Sequence, residues 1–149
     1  VAVIPDSNVT VIPIEDDETL VDTLSQLKNA YIFLTADWCN GGKVTFENSV
    51  YPYLDSLNQR QIPFIFVFTG NPDKYSFHTS GLIHSYSIFH LSDSWIKTPL
   101  TDKKRLANIV RELDSSYEFE NKVPISIYIK DSKIESKKSL YEIIRDNKL

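Results

Sequence analysis

Two short apolar runs, "YIFLT" at 31–35 and "IPFIFVFT" at 62–69, constrain this chain more than any other feature. Each is too short for a buried helix and lacks polar alternation, so each predicts a strand buried on both faces. Strands covered on both faces belong to a sheet with helices packed above and below it. The sequence between them agrees. Over 43–61, Phe46, Val50, Leu54 and Leu57 fall on one helical face, and Pro52 inside that pattern predicts a kink. Strand, helix, strand is a parallel βαβ unit.

The flanking sequence extends this unit. "VTVIPI" at 9–14 reads as an edge strand, because Pro13 cannot donate to a ladder. "DDETLVDTLSQLKN" follows as a helix capped by Asp16 or Asp17, with Leu20, Leu24 and Leu27 at helical spacing. The acidic run "EDDE", 15–18, suits a helix start. "GNPD" at 70–73 is a turn, and "YSIFHL" at 86–91 a further strand among loop-like residues. "TDKKRLANIVRELDSSY", 101–117, is an amphipathic helix with Leu106, Ile109, Val110 and Leu113 inward. Lys103, Lys104 and Arg105 read as its solvated face. "PISIYIK", 124–130, turns at "DS" into "KIESKK" as a hairpin. "SLYEIIRDNKL" closes the chain as a helix capped by Ser139, with Leu140, Ile143 and Ile144 inward. The fold class is therefore α/β, a mixed sheet with helices on both faces. The division is an extended segment over 1–16 and a domain over 17–149, with an insert at about 70–100.

Composition excludes several functions. A net charge of −4 with no basic stripe argues against nucleic-acid binding. No apolar run approaches the roughly 18 residues that cross a bilayer. One cysteine excludes an internal disulfide framework. His78, His84 and His90 have no cysteine or carboxylate cluster beside them, so no metal and no cofactor is expected.

The segment "TADWCNGGK", 35–43, carries the chemistry. "YIFLTADWC" followed by a helix with an internal proline resembles the active-site region of the thioredoxin-fold family. "VPISIYIKDSKI", 123–134, is similar to that family's second hallmark, a cis proline leading into a two-stranded turn. The resemblance runs from residue 17 to the end and implies a thioredoxin-like sheet with an insert before the cis-Pro strand. It implies that Cys39 is the reactive group and that Trp38 packs beside it. It also implies that Val123 and Pro124 present a backbone edge to an extended substrate segment. The chain departs from the family in two places. Gly42 holds the position of the second cysteine, and Pro52 falls later in the helix.

The first step of thiol exchange needs only one sulfur. A helix starting near Gly41 to Lys43 favours a Cys39 thiolate through its free N–H groups and dipole. Lys43 adds to this, Asp37 opposes it, and Asn40, Gly41 and Gly42 shape the turn. Without a second cysteine, a mixed disulfide at Cys39 is released only by an outside thiol. The expected function is monothiol disulfide exchange with a protein or peptide partner, resolved by a low-molecular-weight thiol. The alternative is a redox-inactive binding module that docks a peptide near the cis-Pro loop. The absence of Met, with Val1 first, reads as a trimmed start: a removed signal or lipoprotein leader, or a chosen boundary. With the insert, it tilts the expected location to the periplasm or cell envelope, the cytoplasm staying open.

Plainer readings accompany each of these. Cys39 also reads as a half-buried structural thiol. Gly41 and Gly42 also read as an ordinary loop. Tyr75, Phe77, Tyr86, Phe89 and Trp95 read as cover for an apolar edge ahead of a partner surface.

Overall fold

The computed structural model describes residues 2–3, 9–14, 16–36, 39, 44, 48, 50–70, 86–91, 99–115, 124–131 and 133–135. They form an α/β domain around one mixed, seven-stranded sheet. The strands are β1 (Ala2–Val3), β2 (Val9–Ile14), β3 (Ala30–Ala36), β4 (Phe64–Thr69), β5 (Tyr86–Leu91), β6 (Ile125–Lys130) and β7 (Lys133–Glu135). Their spatial order is β1-β2-β5-β4-β3-β6-β7. β2, β5, β4 and β3 run parallel, whereas β1, β6 and β7 pair antiparallel with their neighbours.

The two apolar runs form the adjacent strands β3 and β4, in register from Tyr31↔Phe64 to Ala36↔Thr69. Every residue of both strands is buried. "YSIFHL" forms β5 over the expected span. It is an interior strand, paired with β2 on one side and β4 on the other, so part of the 70–100 stretch lies inside the sheet. Phe89 of that stretch is buried in the core. β2 differs from a simple edge strand. β1 pairs with it along Thr10 and Val11, and this pairing stops before Pro13. A residue that cannot donate is tolerated where a strand has a neighbour on one side only.

Alternation along the strands divides the core into two layers. On one face, Tyr31, Phe33, Phe64, Phe66 and Phe68 pack with Ile88 and Tyr128. Val50, Leu54 and Leu57 of the segment joining β3 to β4 cover them. That segment is not a uniform helix. Asn48 and Val50 are π-helical, Tyr51–Tyr53 form a 3₁₀ turn around Pro52, and α2 (Leu54–Gln59) begins after it. The break at Pro52 is the expected kink, since proline cannot complete an α-helical hydrogen bond. Gln61, at φ 57°, reverses the chain after α2 so that Ile62 N–H reaches the Leu57 carbonyl at 2.9 Å.

On the other face, Ile32, Leu34, Ile65, Val67, Ile127 and Ile129 meet α1 (Asp17–Ser25) and α3 (Pro99–Leu113). Asp16 caps α1 by accepting the Thr19 N–H at 2.7 Å, and that hydrogen bonding lowers its pKa. Leu20 and Leu24 are buried as expected. Leu27 lies past the helix end and is half-buried. α3 begins at Pro99, where the missing N–H costs nothing. Its Leu106, Ile109 and Val110 point inward.

Arg105 corrects the reading of a solvated 103–105 face. Lys104 is exposed, but Arg105 is only 6% exposed. Its Nε donates to Asp17 Oδ1 at 2.8 Å, joining α3 to α1. Position 105 flanks the buried stripe, and a guanidinium there is covered once α1 packs alongside. Asp17 therefore binds a partner across helices as well as favouring its own helix start.

Candidate functional site

The parallel strands end together along one rim of the sheet. Open α/β sheets place ligands outside such carboxyl ends. β3 stops at Ala36, and the chain turns at once, the Cys39 N–H donating to the Ala36 carbonyl at 3.1 Å. Cys39 carries a reduced thiol and is 7% exposed. The chain then passes through Val44, helical and 55% exposed, to the segment that covers the aromatic face. Cys39 thus lies on the connection between a strand end and the aromatic layer.

The second sequence motif meets the first at this corner. β6 runs antiparallel to β3, with Leu34 opposite Ile125. Continued by one residue, that register sets half-buried Pro124 alongside Thr35. Cys39 and Pro124, far apart in sequence, therefore flank one end of β3. Trp38, Asn40, Gly41, Gly42, Lys43 and Val123 lie outside the described residues, as do His78, His84, Tyr75, Phe77, Trp95 and the C-terminal helix expected from Ser139.

Thr35 is a further residue at this corner; its spacing of four positions before Cys39 does not fit a peroxidase pattern, and the sequence gives it no other role. It is fully buried, and among the described residues its Oγ1 has no hydrogen-bond partner. It occupies the third rung of an aromatic ladder between β3 and β4. Tyr31 stacks on Phe64 at 6.1 Å, Phe33 packs on Phe66 at 5.4 Å, and the next register pair is Thr35 with Phe68. The signal lay in "YIFLTA", where one hydroxyl interrupts an apolar run.

His90 lies on the same face two strands away. Phe68 stands between it and Thr35 in register, with ring centroids 6.4 Å apart for Phe68 and His90. Its Nε2 hydrogen-bonds the Gly70 carbonyl at 2.7 Å. Gly70 is buried at φ 133°, a backbone region open to glycine, and this carries the chain off β4. His90 belongs to the rim but is held by that turn.

The opposite face carries a groove of about 450 Å³ between α1 and α3. Glu18, Asp22 and Glu112 line it together with Val21 and Ile109. It lies across the sheet from the cysteine connection. Among the described residues, no group of three or more His, Cys, Asp or Glu is placed to hold a metal ion. No helix among them is long and apolar enough to cross a membrane. No protein-family model, curated protein or solved structure matches the chain.

Proposed function

We propose that this is a thioredoxin-like thiol-disulfide exchange protein that works through Cys39 alone. The supporting observation is the convergence of the Cys39 turn and Pro124 at one end of β3. In the reaction, the Cys39 thiolate attacks one sulfur of a substrate disulfide. The S–S bond breaks, and the departing sulfur leaves with its electron pair as a thiolate. The product is a mixed disulfide between Cys39 and the substrate. An external thiolate then attacks that bond, forms a new disulfide with the substrate sulfur, and releases Cys39. No net oxidant is consumed. Extended substrate backbone would pair beside Pro124 as an added strand.

The low exposure of Cys39 favours a second reading, in which the corner binds a peptide and the sulfur is a buried structural thiol. One experiment separates the two. The folded protein is incubated with a peptide disulfide, and the mass of the adduct is followed before and after adding glutathione. Exchange predicts a Cys39 adduct that glutathione removes, and no adduct in Cys39→Ser. Binding without exchange predicts no adduct and equal peptide affinity in both proteins.

A further inference from the structure

We draw no further inference here: the strongest candidate, the groove between α1 and α3 where Glu18, Asp22 and Glu112 stand around Val21 and Ile109, is a cluster of exposed acidic side chains beside a helix start, and nothing in the structure shows what covers it.

Discussion

The two faces of the central sheet are built from the same strands and solved in different ways. The aromatic face is filled by a few large rings on β3 and β4, covered by a segment that passes through π, 3₁₀ and α geometry within a few residues. The aliphatic face is filled by branched side chains under two regular helices, α1 and α3. Those helices are fixed by the Asp16 cap and the Asp17–Arg105 pair. The described helical irregularity and the cysteine connection share one face, with the regular packing behind it. Rings tolerate an irregular cover, because each buries a large area from a single backbone position.

The largest expected effect tests whether the rings carry their face. Phe66 is fully buried at the centre of the ladder, 5.4 Å from Phe33 and 6.3 Å from Phe64 and Phe68. Phe66→Ala should cost about 3–5 kcal/mol in urea unfolding, and Leu106→Ala on the other face about 2–5 kcal/mol. The aromatic deletion is expected to be the larger. A reversed order would show that the aliphatic helices dominate the core.

The next effect tests what ties the regular face together. Arg105→Ala removes a buried guanidinium and the Asp17 bond, and should cost about 1–3 kcal/mol in thermal unfolding. Arg105→Leu combined with Asp17→Asn should come closer to wild type, since an apolar replacement avoids burying charge. A double variant as damaged as Arg105→Ala would mean that the ion pair itself, and not the packing around it, holds α3 to α1.

The smallest effect lies at the far end of the aromatic ladder and depends on pH. Burial raises the Tyr31 pKa above 10.0, partly opposed by a hydrogen bond with Ser126. The folded state then favours the neutral phenol. Stability from this group is fully present below pH 10 and is lost as the pH rises beyond it, because the unfolded chain ionises first. Tyr31→Phe should change stability by less than about 1 kcal/mol at pH 7 and flatten the decline above pH 10. An alkaline slope unchanged in Tyr31→Phe would assign the decline to other groups.

Much of this architecture was legible residue by residue. β3 and β4 announced themselves because strands buried on both faces leave continuous apolar runs. α1 was marked by Asp16 and its leucines, and the kink by Pro52. Other features were not legible, because they depend on neighbours distant in sequence. "YSIFHL" reads as a strand, but nothing in it says that it slots between β2 and β4. Arg105 reads as surface until α1 lies beside it. Thr35 reads as a strand former until its hydroxyl is found without a partner among the described residues.

The element types, the α/β class and a lone cysteine placed after a buried strand were all present in the order of the residues. They follow from local periodicity, turn chemistry and burial, which each segment carries in its own side chains. The folded arrangement added the rest: which strands are neighbours, which charge is buried, and that Cys39, Thr35 and Pro124 share one end of β3. Those facts come from sheet register and helix packing, where the free energy belongs to pairs of segments and is written in neither one alone.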